Sequence, residues 1–246
     1  MVDFQRLVYL RTTKSTNDYA ITLSNNDPKE NTCIYTFNQI AGRGQIGRYW
    51  FSDTDKNLTT TFTWKCPNIP IHEQFRINMA FSLALWEFAA SILSNTEHLS
   101  IKWPNDLYYK SKKLAGILIQ NVLKGPSIET CHLGVGFNVN QTIFPQDLPN
   151  PISLRQITGQ NLDLIALQQT LINMVSIGLG KLFDKTFELK KTYENLLFRR
   201  ETVSTYEVGN LNLAGIIKGT SPEGKLLLEL EDGLREFSFR EVKYVI

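Results

Sequence analysis

The spacing of apolar side chains predicts several helices along this chain. Residues 73–93 contain no proline or glycine, and apolar side chains recur there every three or four positions. That period predicts a long helix with one buried face. Further helices are predicted over residues 163–183, despite two glycines, and over residues 187–198. A shorter helix is predicted over residues 15–23, capped by its first or second residue.

Between these helices, alternating apolar and polar residues predict strands. Proline and glycine separate some of the strands, and Pro104 lies between two short ones. The predicted strands cover residues 32–37, 57–64, 101–103, 107–109, 114–122 and 128–138.

The pattern changes near residue 199. Residues 202–246 show short alternating runs separated by turn-forming residues at 209–210, 222–224 and 232–233. This predicts a small all-β module of about five strands. We therefore expect two domains, residues 1–198 and residues 199–246.

The composition is typical of a soluble globular protein. The 246 residues are 42% hydrophobic and 20% charged. A net charge of +2 argues against a protein that binds nucleic acid mainly by electrostatic attraction. The three cysteines form no Cys-x-x-Cys pair, there is no signal peptide, and no apolar run reaches membrane-spanning length. These features predict a cytoplasmic protein that does not associate with membranes.

Residues 42–50 are the clearest candidate for chemistry. Three glycines and two arginines lie within seven residues, and Trp50 closes the stretch. Glycines let backbone N–H groups approach a ligand closely, and arginines bind carboxylate or phosphate with planar forks. The stretch therefore predicts an anion-binding loop, although it matches neither a P-loop nor a dinucleotide-binding turn.

Two further segments have both structural and functional interpretations. Residues 102–106, Lys-Trp-Pro-Asn-Asp, can be a strand followed by an ordinary turn, or a cluster of chemically useful groups. Lys113 can be an exposed lysine at a strand end, and Gly116 and Gly136 can mark tight strand packing or close approach of a ligand. The three histidines have no metal-ligand spacing and receive no role.

Taken together and in order, these segments resemble the biotin–protein ligases, also called biotin–[acetyl-CoA-carboxylase] ligases. The resemblance extends over residues 8–246. Its motifs are Ser-Thr-Asn at 15–17, Gln-x-Ala-Gly-Arg-Gly-x-x-Gly-Arg-x-Trp at 39–50, Lys-Trp-Pro-Asn-Asp at 102–106, Lys-Leu-Ala-Gly-Ile-Leu at 113–118 and Gly-x-Gly-x-Asn at 134–138.

The resemblance implies an α/β (α+β) fold, with a class II aminoacyl-tRNA synthetase-like catalytic domain. That domain has a mixed, largely antiparallel sheet with helices on one side, followed by a small SH3-like β-barrel. The implied reaction uses biotin, ATP and Mg²⁺ to form biotinyl-5′-AMP. The biotinyl group is then transferred to a lysine of a biotin carboxyl carrier domain. A sheet edge is expected to serve either the carrier or a homodimer.

The resemblance also implies roles for individual residues. Lys113 would bridge the reacting carboxylate and the α-phosphate, with Arg43 beside them, and Asp106 is a candidate base for the acceptor lysine. Trp50 would cover the valeryl chain. The remaining expected biotin contacts are Ser15, Thr16, Asn17, Gln39, Gly42, Gly44, Gln45, Gly116, Leu118 and Gly136, and the expected nucleotide contacts are Arg48, Asn105 and Asn138.

Two departures from the family pattern affect these expectations. Gln45 replaces an arginine that is common in the family loop, which implies weaker retention of the adenylate. The Ser-Thr-Asn motif begins at residue 15. In some relatives a DNA-binding domain of about 60 residues precedes this motif. We therefore expect a monofunctional ligase that does not bind DNA.

Two rival functions remain open from the sequence. A lipoate–protein ligase or octanoyltransferase has a related fold, but residues 42–44 and 102–106 argue against it. A non-catalytic sensor of biotin or nucleotide is the alternative from another class, and it is disfavoured because Lys113, Arg43 and Asn105 are all present.

Overall fold

A seven-stranded mixed sheet forms the larger part of the protein. A computed structural model describes residues 1–26, 30–45 and 47–246. The strand order is β1-β2-β5-β9-β8-β7-β6, in which β1 pairs with β2 in parallel and the other neighbours are antiparallel. Its strands are β1 (Arg6–Tyr9), β2 (Thr32–Thr36), β5 (Leu58–Pro70), β6 (Leu99–Lys102), β7 (Asp106–Tyr109), β8 (Lys112–Lys124) and β9 (Ser127–Phe137).

Five helices accompany this sheet in the described part of the chain. They are α1 (Thr16–Asn26), α2 (Gln74–Ala90), α3 (Leu154–Thr158), α4 (Leu164–Gly180) and α5 (Leu189–Asn195). Short 3₁₀ turns precede α2 and follow α4. Among these helices, none is both long enough and apolar enough to cross a membrane.

The helices lie on both faces of the sheet, not on one as the family resemblance suggested. Successive side chains of a strand point to opposite faces. The Thr60 hydroxyl donates to Gln168 on α4 at 2.8 Å, whereas the hydroxyl of the next residue, Thr61, lies 2.9 Å from that of Thr16 on α1. The sheet therefore has an apolar face covered by α2 and α4, and an opposite face over which α1 lies.

The apolar face explains why the two long helices form where the sequence predicts them. In α2, Phe81 and Phe88 are fully buried, and their rings pack against Phe62 and Phe137 of the sheet. Gly178 does not break α4, because it lets the helices approach closely: a Cβ there would come 2.5 Å from the Cβ of Ala84. Burial against the sheet thus outweighs the low helix propensity of glycine.

The C-terminal part forms a separate five-stranded antiparallel sheet, of order β13-β12-β11-β10-β14. The predicted all-β character and about five strands are confirmed, with turns where the sequence indicates them. The SH3-like barrel and the domain boundary near residue 199 stay predictions. The strands are β10 (Ser204–Val208), β11 (Leu211–Thr220), β12 (Leu226–Leu230), β13 (Gly233–Phe237) and β14 (Val242–Tyr244).

Three short elements do not follow from the apolar pattern. The strands β3 (Gly42–Arg43) and β4 (Tyr49–Trp50) make a small hairpin inside the predicted anion-binding loop. Ile46, in the same loop, lies outside the described residues. Helix α3 spans only five residues and is stabilised by a capping box, in which Ser153 and Gln156 bond each other's backbone amides.

Candidate functional site

The hairpin of β3 and β4 is closed by its own backbone. The Gly44 amide donates to the Arg48 carbonyl at 3.0 Å, and the Arg48 amide donates to the Gln45 carbonyl at 2.8 Å. A Cβ on Gly42 would overlap the Trp50 carbonyl oxygen, so glycine alone fits at this position. The glycines of the loop therefore permit a tight hairpin whose side chains reach over the sheet.

A cavity of about 90 Å³ lies beneath this hairpin, and we call it the slot. Most of the residues that the sequence singles out come together here, whereas Gly42, Asn105 and Asn138 lie outside the lining. The slot is lined by Ser15, Thr16, Asn17, Gln39, Arg43, Gly44, Gln45, Arg48, Tyr49, Trp50, Asp106, Lys113, Gly116, Ile117, Leu118, Gly134, Val135 and Gly136.

The end of the slot nearest α1 is neutral and densely hydrogen-bonded. Gln39 Oε1 accepts from the Thr16 amide at 2.9 Å, and Ser15 Oγ accepts from the Asp18 amide at 3.3 Å. Thr61 Oγ1 lies 2.6 Å from Asn17 Oδ1. Because the hydroxyl and amide side chains that line this end are buried, their positions are set before any ligand binds.

Asn17 also connects α1 to the floor of the slot. Its Nδ2 donates to the Leu118 carbonyl at 3.3 Å and to Gln120 Oε1 at 3.1 Å. A Cβ on Gly134 would overlap the Asn17 amide, so β9 must carry glycine there for α1 to lie this close. The neutral end therefore depends on a close approach of α1 to the sheet.

The Trp50 indole packs directly onto the floor of the slot. A Cβ on Gly136 would overlap the ring, and one on Gly116 would come 3.0 Å from Cζ3. The indole Nε1 is buried and has no hydrogen-bond partner among the described residues. Since ligand pockets usually hold about 300 Å³ or more, a ligand of biotin's size requires this indole to move.

The opposite end of the slot carries an ion pair. Lys113 Nζ lies 2.8 Å from Asp106 Oδ2, and the side chains are 30% and 23% exposed. The two residues lie on neighbouring strands, β8 and β7. A cation here can stabilise negative charge on a reacting group, while the carboxylate beside it can accept a proton.

The backbone of Lys113 is fixed by a segment that passes beside it. The Lys113 amide donates to the Asn150 carbonyl at 2.7 Å, and the Ile152 amide donates to the Lys113 carbonyl at 3.0 Å. Asn138 Nδ2 donates to the carbonyls of Ile152 and Lys113, at 3.0 and 3.4 Å. This geometry gives Asn138 the task of positioning Lys113, and its contact with a nucleotide stays a prediction.

The two arginines of the hairpin both line the slot, and Arg43 is already paired with a carboxylate of α1. Arg43 lines the slot, but its guanidinium lies 3.0 Å from Asp18 and the side chain is 62% exposed. Arg48 lines the slot from the other end of the hairpin turn. For Arg43 to meet a ligand carboxylate, it must exchange the Asp18 carboxylate for the ligand.

A second cavity, of about 540 Å³, adjoins the slot and shares Gln45, Ile117 and Leu118 with it. Asn105 lies here, 7% exposed, and its Oδ1 is buried without a hydrogen-bond partner among the described residues. Such an acceptor is costly unless a ligand or water donates to it. The other lining residues are Gln74, Phe75, Asn78, Trp103, Pro104, Ile119, Asn121, Glu223, Gly224, Lys225, Ser238 and Phe239.

Burial shifts the pKa of two groups beside the ion pair. It lowers the pKa of Lys102, an effect that the nearby Asp106 carboxylate opposes. The Lys102 ammonium lies over the rings of Tyr108 and Tyr244, 5.2 and 4.9 Å from their centroids. Burial also raises the pKa of Tyr108 to about 12. The segment therefore lies in a medium of low polarity, in which charge interactions are strengthened.

Several functional candidates were not identified from the sequence. Thr61 was assigned only to a strand, and Gly134 was noted only as part of a motif. Tyr49 donates its hydroxyl to Asp147 at 2.5 Å, joining the hairpin to the 141–150 loop. No spacing rule joins positions so far apart, so only the fold reveals this contact.

No group of three or more His, Cys, Asp or Glu within the described residues is arranged to hold a metal ion.

Comparison with known proteins adds independent findings. The family model described as Biotin/lipoate A/B protein ligase family matches residues 9–138, more than half of the chain. The Bifunctional ligase/repressor BirA of Bacillus spizizenii is 27% identical over 246 residues, which is 97% of this chain and 74% of that protein. The Biotin--[acetyl-CoA-carboxylase] ligase of Paracoccus denitrificans is 29% identical over 130 residues, covering 51% of this chain and 53% of that protein.

A solved structure resembles the whole chain. The biotin protein ligase from Aquifex aeolicus, in complex with biotin and ATP, matches with a TM-score of 0.78 at 25% identity. The match covers 98% of each chain. The likeness thus extends through both the seven-stranded and the five-stranded sheet.

Proposed function

The chain belongs to the Biotin/lipoate A/B protein ligase family, and on that basis we propose that it is a biotin–protein ligase. It activates biotin with ATP and transfers the biotinyl group to a lysine of a biotin carboxyl carrier domain. The observation that carries this proposal is the slot itself, which has a neutral hydrogen-bonding end and an end with Lys113 and Asp106. Biotin has the matching chemistry: a neutral ureido ring, an apolar body and a carboxylate tail.

The neutral end binds the ureido ring. Ser15, Thr16, Asn17 and Gln39 offer hydroxyl and amide groups that are already oriented by protein partners. Ureido oxygen and nitrogen atoms need acceptors and donors but no charge. The floor glycines leave a flat space for the bicyclic body once Trp50 has moved to cover the valeryl chain.

The charged end activates the carboxylate. A carboxylate oxygen attacks the α-phosphorus of ATP, the bond to the leaving pyrophosphate breaks, and biotinyl-5′-AMP forms. Lys113 stabilises the negative charge that develops between the two anions, with Arg43 and Arg48 holding the carboxylate and the phosphate. Because Lys113 is paired with Asp106 before substrate binds, substrate must take over part of that interaction.

The residues present suit a nucleotide. Asn105 has a buried acceptor without a partner, which the hydrogen-bond donors of a nucleotide can satisfy. Lys113 and Arg48 supply positive charge for the phosphates. Mg²⁺ bound with the triphosphate would neutralise part of its charge, and Asp106, which lines the slot, would be a carboxylate to orient it.

The second step needs a route for the acceptor lysine. Its amine attacks the acyl carbon of the adenylate, AMP leaves, and the amine loses a proton, which Asp106 accepts. The second cavity is lined by residues 117–119 and 121 of β8, and residues 116–124 have no strand partner on the side away from β9 in the described residues. A carrier domain can add its own strand at such an edge. We therefore assign this edge to the carrier. The relatives named biotin–[acetyl-CoA-carboxylase] ligase support acetyl-CoA carboxylase as the source of that carrier.

Mass spectrometry of an isolated carrier domain tests the proposal. The domain is incubated with the protein, ATP and Mg²⁺, and with biotin or lipoate in competition. A gain of one biotinyl group, absent without ATP, is the expected result. Preferential lipoylation supports the related ligase activity instead. Absence of both products and of biotin-dependent pyrophosphate release leaves the sensor function.

A further inference from the structure

The Lys102–Asp106 segment is held from outside its own sheet. Two hydrogen bonds reach it on either side of the Trp103–Pro104 bond. The Trp103 indole Nε1 donates to the Gly224 carbonyl at 3.0 Å, in the turn between β11 and β12. The Tyr193 hydroxyl of α5 donates to the Pro104 carbonyl at 2.6 Å. Asn105 and Asp106 follow immediately in the chain.

Helix α5 links this segment to the C-terminal sheet through adjacent residues. Tyr193 is fully buried and reaches Pro104, while Glu194 accepts from the Thr220 amide at 2.7 Å and the Thr220 hydroxyl at 3.0 Å. A Cβ on Gly219 would come 2.7 Å from the Glu194 carboxylate, so glycine keeps room for this contact.

The chain after α5 fixes the start of the segment as well. The Ile101 amide donates to the Leu196 carbonyl at 2.8 Å, and the Phe198 amide donates to the Ile101 carbonyl at 2.9 Å. The start of the 102–106 segment, together with Ile101 just before it, is thus tied at three points, Ile101, Trp103 and Pro104, to groups that lie at or beyond residue 193.

We infer that Tyr193 and the indole N–H of Trp103 act as positioning groups, through which α5 and the C-terminal sheet hold Asn105 and Asp106 in working geometry. The inference rests on the proposed function for its kinetic consequence. Asp106 lies 2.8 Å from Lys113, and Asn105 lines the second cavity and has a buried Oδ1 without a partner among the described residues. A small displacement of a reacting group lowers turnover strongly, because orientation accounts for much of the catalytic effect.

The test replaces Tyr193 by phenylalanine in the full-length chain, which removes one hydroxyl and keeps the ring. The matched control is Tyr206→Phe, another fully buried tyrosine, whose hydroxyl makes no hydrogen bond to the 102–106 segment in the described structure. We expect kcat for biotin-dependent pyrophosphate release to fall about 10-fold in Tyr193→Phe. The KM for biotin should stay within twofold, since Tyr193 does not line the slot.

Amide hydrogen exchange supplies a readout that does not depend on activity. Peptides spanning residues 102–109 should exchange several-fold faster in Tyr193→Phe than in wild type or Tyr206→Phe, and peptides spanning residues 15–20 should be unchanged. If the 102–109 peptides exchange at the wild-type rate, the inference is overturned. Equal kcat in both variants also overturns it, and so does a rise in exchange throughout the chain.

Thr220→Val provides a second variant that is milder for folding, because the Thr220 amide can still donate to Glu194. Faster exchange of residues 102–109 in this variant supports transmission from the C-terminal sheet, and unchanged exchange contradicts it. If wild-type protein releases no pyrophosphate with biotin, the proposed function fails, while hydrogen exchange still decides the positioning role.

Discussion

The two ends of the slot are built in opposite ways. At the neutral end, Thr16, Asn17 and Gln39 are at most 8% exposed and bonded to neighbouring protein groups. At the charged end, Lys113 is more exposed and is paired with the Asp106 carboxylate, while Arg43 of the hairpin is paired with Asp18 of α1. The neutral end is therefore complete without ligand, whereas each cation must change partner when an anion arrives.

This difference assigns the two ends to different parts of catalysis. Preorganised neutral groups bind the substrate and the transition state equally well, so they determine affinity. Cations that gain a stronger partner as charge develops lower the barrier of the chemical step. The proposed ligase should therefore show affinity defects from one end and turnover defects from the other.

Loss of the Lys113 ammonium should have the largest effect. In Lys113→Ala, kcat for biotin-dependent pyrophosphate release should fall on the order of 100-fold or more, because one preorganised cationic donor is removed from the developing charge. Biotin affinity, measured by calorimetry, should change much less. The matched control is Lys112→Ala, an exposed neighbour that does not line the slot. Near-normal turnover in Lys113→Ala would contradict the assignment.

Thr61 tests the neutral end, and the adjacent residue supplies its control. Thr61→Val removes the hydroxyl beside Asn17 and Thr16 and leaves buried polar atoms unpaired, so biotin should bind about 10-fold more weakly. The kcat at saturating biotin should be retained. Thr60→Val removes an equally buried hydroxyl that bonds Gln168 on the other face, and it should lower the melting temperature without weakening biotin binding. Equal biotin affinity in both variants would remove Thr61 from the site.

The sequence predicts an element well when a regular pattern of neighbouring residues causes it to form. Helix α2 was predicted over 73–93 and spans Gln74–Ala90, because burial of one face imposes a regular apolar period. The two-residue strands of the hairpin and the five-residue α3 are too short for any period to appear. They are stabilised by a turn and by a capping box instead.

The same reasoning applies to the site. The family motifs identify most of the slot, since each motif is a short local run. The second cavity brings Trp103 and Gly224 together, and no local pattern joins residues so far apart. The nucleotide contact of Asn138 stays a prediction, and the hydrogen bonds from its amide to the carbonyls of Lys113 and Ile152 are revealed only by the fold. The alternation of side chains between faces predicts which face of the sheet Gly134 and Gly136 lie on. It does not predict that Asn17 and Trp50 fill the space above them.

Gln45→Arg strengthens the charged end and should have a moderate effect. An arginine can bind the adenylate phosphate through two charge-assisted hydrogen bonds, whereas the glutamine amide offers a weaker neutral donor. A gain of about 1 kcal/mol would slow adenylate release several-fold. The measurement is the off-rate of preformed biotinyl-5′-AMP, with labelling of lysines on a bystander protein as the second readout. Release as fast as in wild type would show that position 45 does not face the phosphate.

Acidification should place a charge on the face of the sheet over which α1 lies, with the smallest effect near neutral pH. His132 lies two residues from Gly134 on that face, and its Nδ1 is 3.0 Å from Thr63 Oγ1. Burial, together with the Lys65 charge, lowers the pKa of His132 from 6.5 to about 4. Between those two pH values the unfolded state binds a proton that the folded state does not, so the free energy of unfolding falls as pH decreases from 6.5 toward 4.

In His132→Gln, the loss of melting temperature between pH 7 and pH 5 should be smaller than in wild type by on the order of 5 °C. His98→Gln, which removes an exposed histidine, should follow wild type. An identical pH dependence in wild type and His132→Gln would mean that His132 can accept a proton on this face without cost.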